Sequence, residues 1–267
     1  MTSRRRLDRE LVRRGLARSR SEAADLVASG AVLVAGRPAM KPATAVSPQD
    51  SLTLRSRQHR YASRGGEKLA PVLAGFIARG LAVAARRCVD AGASTGGFTS
   101  VLLEHGAAEV FAVDVGYGQL AWSLRNDPRV RVLERTNIRS ITLAHVDGRP
   151  VDLVVGDLSF ISLTLVLPAL VGIARPDADF VLLVKPQFEV GRDQVGAGGV
   201  VRAPQARAAA IRKVTDAAHG LGLGTIAAVP SPLRGPAGNR EYFVWLRAGA
   251  PPLDDADLAA LVAGEPA

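Results

Sequence analysis

The stretch Cys88-Val89-Asp90-Ala91-Gly92-Ala93-Ser94-Thr95-Gly96-Gly97-Phe98-Thr99 decides the fold. Its first residues, from Arg87 to Asp90, are short and largely apolar and end on an acid, as the end of a buried strand does. From Phe98 to His105 the pattern is helical, and Gly106 stops it. The glycines at 92, 96 and 97 make the joint between them a loop whose backbone can approach a ligand closely. The spacing from Gly92 to Gly97 imitates a phosphate-binding loop, but Phe98 stands where that loop has Lys. A triphosphate site is therefore poorly supported, and the Gly-x-Gly-x-x-Gly pattern of dinucleotide sites is absent.

Outward from this loop, strands and helices alternate. Glu109–Asp114, Arg129–Glu134, Asp152–Gly156 and Phe180–Lys185 read as strands, and Thr225–Val229 and Tyr242–Leu246 as the last two. Gln119–Arg125, Leu163–Ala174 and Pro204–Leu221 read as helices. This predicts an α/β, Rossmann-like fold: a parallel sheet with helices on both faces and ligands at the C-terminal ends of its strands. Asp114 ends the strand after the loop, 24 residues beyond Asp90, where a carboxylate can accept hydrogen bonds from ribose hydroxyls. An acid before a glycine loop and a second acid one strand later fit S-adenosylmethionine; a plain strand-to-helix turn is the alternative. The candidate cofactor-binding set is Asp90, Gly92, Ser94, Gly96, Gly97, Phe98, Asp114 and Asp157.

Composition narrows the class. The chain has 267 residues and a net charge of +9, and its 48% apolar content suits a folded protein. A single cysteine, Cys88, excludes a disulfide scaffold and any multi-thiolate zinc site. The four histidines are scattered, so no metal is expected. No apolar run follows the basic residues Met1 to Arg6, so no secretory signal is expected. The longest uncharged stretch, Leu158 to Ala174, has 17 residues and is broken by Pro168 and Gly172. A membrane span is thus not expected, and a reducing, cytoplasmic setting fits.

The charge is unevenly placed. Residues 1–60 carry 13 basic and 5 acidic side chains, whereas residues 61–267 carry 21 and 20. The expected organisation is a small basic module over 1–60, a linker at 61–63, a larger domain over 64–250 and a tail over 251–267. In the first module Leu7, Leu11 and Val12 form a helical stripe ended by Gly15. Ser19 and Glu22 form a capping-box pair for a second helix, stopped by Gly30. Short strands follow at Ala31–Val34 and Ser51–Leu54. Arginines at 4, 5, 6, 9, 13, 14, 18 and 20 crowd the helical part and would repel one another unless a polyanion neutralised them. The segment resembles the S4-type RNA-binding domain, an α+β unit, through Arg6-Leu7-Asp8, Leu11, Gly15, Ser19-Arg20, Gly30, Gly36 and Lys41. That resemblance implies RNA docked by backbone and shape, with Arg4, Arg6, Arg14, Arg18, Arg20 and Lys41 as candidate contacts.

Lysine usage points to chemistry. Only Lys41, Lys68, Lys185 and Lys213 stand among 30 arginines. Arg cannot lose its proton in a protein, whereas Lys can act as a base. Lys185 ends an apolar strand, at the ligand edge of the sheet; Lys68 follows Arg64-Gly65-Gly66-Glu67; Lys213 reads as an ordinary helix-surface residue. Asp157 ends another strand, and Glu241 begins the last one, which reaches the same edge if it is antiparallel. Lys68, Asp157, Lys185 and Glu241 can therefore converge.

The whole chain resembles the TlyA-type ribosomal RNA 2′-O-methyltransferases, also labelled haemolysin A. The marks are Ser63-Arg64-Gly65-Gly66-Glu67-Lys68-Leu69, the loop from Asp90 to Thr99, Gly156-Asp157-Leu158-Ser159-Phe160-Ile161-Ser162-Leu163, Lys185-Pro186-Gln187-Phe188-Glu189 and Asn239-Arg240-Glu241-Tyr242-Phe243. This family resembles the broader FtsJ-like methyltransferases, whose Lys-Asp-Lys-Glu tetrad maps onto Lys68, Asp157, Lys185 and Glu241. The resemblance implies S-adenosylmethionine-dependent methylation of cytidine riboses in 16S and/or 23S rRNA on ribosomal subunits; from the chemistry of a ribose hydroxyl, Lys185 is the expected general base. A non-enzymatic ribosome-assembly factor and a membrane-lytic protein are the competing readings.

Overall fold

The computed structural model describes residues 4–17, 19–28, 30–54 and 61–263. The chain divides into two compact units, Met1–His59 and Arg60–Ala267.

The first unit contains β1 (Arg5–Arg6), α1 (Leu7–Arg13), α2 (Arg20–Ala28), β2 (Val32–Val34), β3 (Arg37–Pro38), β4 (Ala45–Val46) and β5 (Leu52–Leu54). Strand β1 pairs with β4, and β3-β2-β5 form a three-stranded antiparallel sheet. Leu7 and Leu11 of α1, Ala23 and Val27 of α2, and Val32, Val46 and Leu52 of the strands make its core. Each of the leucines and valines contributes roughly 1.5–3 kcal/mol when fully buried. Ser19 Oγ accepts the Glu22 N–H at 3.1 Å, which caps α2 as expected.

The arginines of this unit are not held apart by a polyanion alone. Asp8 accepts from Arg6 and from Arg20, each at 3.0 Å. Glu10 accepts from Arg13 and Arg14 at 2.6 and 2.8 Å. Two buried acids thus organise the arginines, a correction to the expectation that only an external anion could do so. Hydrogen bonds from Arg6 hold the Asp8 carboxyl well below the usual range, and those from Arg13 and then Arg14 lower Glu10 to about 2.

The second unit runs α3 (Arg64–Ile77), β6 (Arg87–Ala91), α4 (Gly97–Glu104), β7 (Glu109–Val113), α5 (Trp122–Arg125), β8 (Val130–Leu133), β9 (Val151–Gly156), α6 (Leu167–Gly172), β10 (Ala174–Val184), α7 (Pro186–Glu189), α8 (Pro204–His219), β11 (Leu223–Pro230), β12 (Tyr242–Ala248) and α9 (Asp255–Ala263). The strands form one seven-stranded sheet in the order β11-β12-β10-β9-β6-β7-β8. The five strands from β10 to β8 are parallel, and β12 is antiparallel to both neighbours. Strand order reverses between β6 and β9, the place where open α/β sheets bind ligands. Both faces are buried. Val154, Leu182 and Val184 pack with Leu170, Ile211 and Val214. Their alternates Leu153, Val155, Val181 and Leu183 pack with Leu73, Phe76 and Val101.

Several boundaries differ from the sequence reading. Leu163–Ala174 is a 3₁₀ turn, Leu163–Leu165, followed by the short α6; Pro168 sits in the first turn of α6, where its missing N–H does no harm. Strand β10 begins at Ala174 rather than Phe180, with a register shift between Ala174 and Asp179. Only Trp122–Arg125 of the expected Gln119–Arg125 helix is helical. Residues 61–63 pack as part of the second unit: Tyr61 is buried, and Ser63 caps α3. The described part of the expected tail, residues 251–263, also packs on it through Leu253, Leu258 and Val262. Among the described residues no helix is long and apolar enough to cross a membrane, and none of them form a group of three or more potential metal ligands.

Candidate active site

Each candidate side chain is delivered to one edge of the sheet by a different element. Strand β6 ends at Ala91, and the chain turns through Gly92 at φ +85. A Cβ on Gly92 would lie 2.8 Å from the Asp157 carbonyl oxygen, so the loop lies against the end of β9 only because this residue is glycine. Asp157 follows β9 directly, and its N–H donates to the Ala91 carbonyl at 3.0 Å. Lys185 stands between the last residue of β10 and Pro186, the first of α7. Glu241 precedes Tyr242, which pairs with Val184. The antiparallel course of β12 therefore brings Glu241 to the C-terminal end of β10, as anticipated.

Lys68 arrives from the first turns of α3. Ser63 Oγ accepts the Gly65 N–H at 3.3 Å to start that helix. At Gly97 a Cβ would come within 2.3 Å of Ser63 Oγ, so the starts of α3 and α4 can touch only through glycine. Lys68 Nζ then donates to Glu241 Oε2 at 2.6 Å and lies 3.8 Å from Asp157 Oδ2. Lys185 Nζ lies 2.6 Å from Asp157 Oδ1, an ion-pair contact without hydrogen-bond alignment, and donates to Ser159 Oγ at 2.7 Å. Lys68, Lys185 and Glu241 are buried and Asp157 is partly so. Two lysines and two acids gathered at one largely buried edge cost stability relative to apolar packing.

Two adjoining clefts open at this edge. One, of about 290 Å³, is lined by Lys68, Gly97, Phe98, Asp157, Ser159 and Lys185. The other, of about 470 Å³, is lined by Asp114, Gln119, Asn137, Ile138, Leu158 and Ile161. Gly92, Ser94, Asp157 and Ser159 line both. Asp114 accepts the Ser94 N–H at 2.8 Å and the Gly116 N–H at 2.7 Å, which fixes its carboxylate at the cleft wall with lone pairs to spare.

Of the expected cofactor set, Asp90 and Gly96 line neither cleft. Asp90 is fully buried behind the loop, bonded to Thr99, and burial pushes its carboxyl up to about 7. Gly96, at φ +95, caps α4, with Leu120 and Leu124 close to its Cα. In the first unit Arg4 and Lys41 are exposed. Arg6 and Arg20 bind Asp8, while Arg14 donates to Glu10 and to the carbonyls of Asp50 and Pro48. Arg18 lies outside the described residues. Lys213 is more than a surface residue: its Nζ donates to the Glu189 carbonyl at 2.7 Å.

Sequence reasoning passed over three partners. Ser159 holds Lys185. Glu189, buried and with its carboxyl raised by that burial, accepts the Leu163 N–H at 2.7 Å and the Ser162 hydroxyl, tying α7 to the segment after Asp157. Phe160 is 91% exposed at φ +64, beside the Phe188 ring at 5.1 Å. All lie inside quoted motifs, but no spacing rule distinguishes them there.

The FtsJ-like methyltransferase family matches residues 61–248, and the S4 domain matches residues 5–52. The chain is 61% identical over 248 residues to the 16S/23S rRNA (cytidine-2'-O)-methyltransferase TlyA of Mycobacterium tuberculosis, a match covering 92% of this chain and 91% of that protein. It is 36% identical to Hemolysin A of Brachyspira hyodysenteriae, across 89% of this chain and 98% of that one. A solved structure from Streptococcus thermophilus, of a protein that bears the name hemolysin, aligns with a TM-score of 0.78 at 37% identity, covering 99% of this chain and 96% of the other. With a methyltransferase sheet, an acidic and lysine-lined edge and an S4 domain ahead of them, the chain belongs to the FtsJ-like methyltransferase family, in its TlyA-type branch.

Proposed function

We propose that this protein transfers a methyl group from S-adenosylmethionine to the 2′-oxygen of cytidine riboses in ribosomal RNA, acting on ribosomal subunits in the cytoplasm. The observation that carries the reading is the convergence of Lys68, Asp157, Lys185 and Glu241, from four separate elements, beside a glycine-lined cleft.

The residues present fit the cofactor. Asp114 offers acceptor lone pairs to a ribose diol, and Ile138, Leu158 and Ile161 give its cleft apolar walls for a base. Asp157, which lines both clefts, keeps its Oδ1 paired with Lys185 where they meet. When bound, S-adenosylmethionine supplies a methyl group made electrophilic by its sulfonium sulfur.

The protein's own groups do the rest. A ribose hydroxyl is a poor nucleophile until its proton leaves. Lys185 takes that proton on Nζ as general base, while Ser159 Oγ and Asp157 fix where the nitrogen points. Once protonated, Lys185 pairs with Asp157. Lys68, held between Glu241 and Asp157, keeps the second carboxylate from drifting and balances its charge. Alignment of oxygen with methyl by this fixed frame supplies much of the rate. The S4 domain, with Arg4, Arg6, Arg14, Arg18, Arg20 and Lys41, holds the RNA through its backbone.

The test is methyl transfer from tritium-labelled cofactor to purified ribosomal subunits, followed by mapping of 2′-O-methyl positions. Label on cytidine riboses is the expected result. RNA binding without any label would leave an assembly factor, and leakage of dye from protein-free liposomes without label would leave a lytic protein; either outcome overturns the reading.

A further inference from the structure

The second unit has a third cleft, of about 650 Å³, between residues 200–202, the start of α8 and the loop before β12. Arg202, Arg207, Arg234 and Arg240 line it, and no acid among the described residues does. Elsewhere on this unit Arg87 pairs with Glu109, Arg129 with Asp127 and Arg247 with Asp179. Near-neutral net charge over residues 61–267 therefore hides a local concentration of positive charge.

The four arginines differ in what they can do. Arg207 is buried, and its Nη1 donates to the Arg202 carbonyl at 2.7 Å, so it braces the wall. Arg202 and Arg234 are exposed. Among the described residues Arg202 reaches the Ala197 carbonyl only at 3.5 Å, and Arg234 has no ion pair. The cleft is also fixed to the tetrad. Asn239, buried, accepts the Val201 N–H at 2.9 Å and donates to the Gly199 carbonyl at 2.8 Å, locking the two walls together. Arg240 is the chain neighbour of Glu241, and Pro236 of the same loop lines the tetrad cleft.

We propose that this arginine cleft is a second polyanion site, which takes the phosphodiester backbone of the RNA strand flanking the nucleotide held at the tetrad. The proposal rests on the RNA methyltransferase reading above. Guanidinium groups on separate segments, spread along an open cleft, suit a chain of phosphates rather than one small anion, and Arg binds phosphate oxygens two at a time. Its rigid tie to Glu241 sets the register between the bound strand and the amine of Lys185.

The experiment uses the full chain with Arg202→Ala plus Arg234→Ala, beside Arg202→Lys plus Arg234→Lys. Binding of a labelled rRNA fragment is followed against salt, and steady-state methyl transfer against RNA concentration. The alanine pair is expected to flatten the log–log salt slope by about 1–2, at about 0.7 per phosphate contact on a single strand. KM for RNA rises about tenfold with kcat within about twofold, and the lysine pair recovers the slope. An unchanged slope and KM in the alanine pair overturns the proposal. If the alanine pair melts early, Arg234→Glu alone, on an exposed side chain, decides by the same slope. Should the wild type bind RNA but label nothing, the methyltransferase reading fails while the slope comparison still judges the cleft.

Discussion

Asp90 Oδ2 accepts both the backbone N–H of Thr99, at 2.8 Å, and its hydroxyl, at 2.6 Å, while Asp90 Oδ1 is buried with no partner. The carboxyl, ordinarily near 3.8, is pushed up to about 7, chiefly by burial. The folded chain thus keeps a proton that the unfolded chain releases near pH 4, and Asp90 makes stability fall as pH rises from about 4 to about 7. Asp90→Asn preserves the acceptor for Thr99 and removes the ionisation. It is expected to raise Tm at pH 8 and to flatten the dependence of Tm on pH across that window. An unaltered Tm curve would show that Asp90 stays ionised in the fold.

Lys185→Ala is expected to keep cofactor affinity and lose methyl transfer by about 100-fold or more, the scale of a general base. Lys185→Arg should fail as well, because Arg cannot lose its proton. Calorimetry with the cofactor and a tritium-methyl assay give the two halves of the answer, and full activity in the alanine variant removes Lys185 from the mechanism.

Asp114→Ala has the opposite signature. It deletes the acceptor for the Ser94 and Gly116 N–H groups as well as the ribose acceptor. Cofactor affinity should drop by about tenfold, the scale of one charge-assisted hydrogen bond. Unchanged affinity by calorimetry would place the ribose elsewhere.

Glu10 tests the small unit. Its carboxyl lies at about 2, against an ordinary 4.5, because Arg13 and then Arg14 donate to it. That stabilisation is full above pH 4.5 and disappears as pH falls through about 2. Glu10→Gln should lower the protection of α1 amides from hydrogen exchange at pH 7 and leave it unchanged near pH 2. Equal protection at pH 7 would mean that the arginines gain nothing from this acid.

Much of this architecture was legible in the residues. The loop from Asp90 to Thr99 shows itself because glycine, an acid and an apolar strand leave few alternatives, and scarce lysines in an arginine-rich chain stand out. Glu241 could be placed because the connection from β11 is too short to carry a crossover helix, which favours an antiparallel β12. The role of Asp90 was not legible: an acid before a glycine loop looks the same whether it faces a ligand or Thr99. The extension of β10 back to Ala174 crosses Arg175, Pro176 and Asp177, which read as a loop because that end is exposed. Ser159 and Glu189 depend on where two loops meet, and periodicity carries no information about that. The packing of α9 escaped notice because Leu258 and Val262 are too few for a convincing stripe on their own.

The bond between Lys68 and Glu241 joins residues 173 positions apart. Such a long-range contact can form only in a chain that has been completed as far as β12. A nonsense mutation between α3 and β12 would therefore yield a chain that keeps the arginine-rich unit and Lys68 yet has no Glu241 to pair with that lysine.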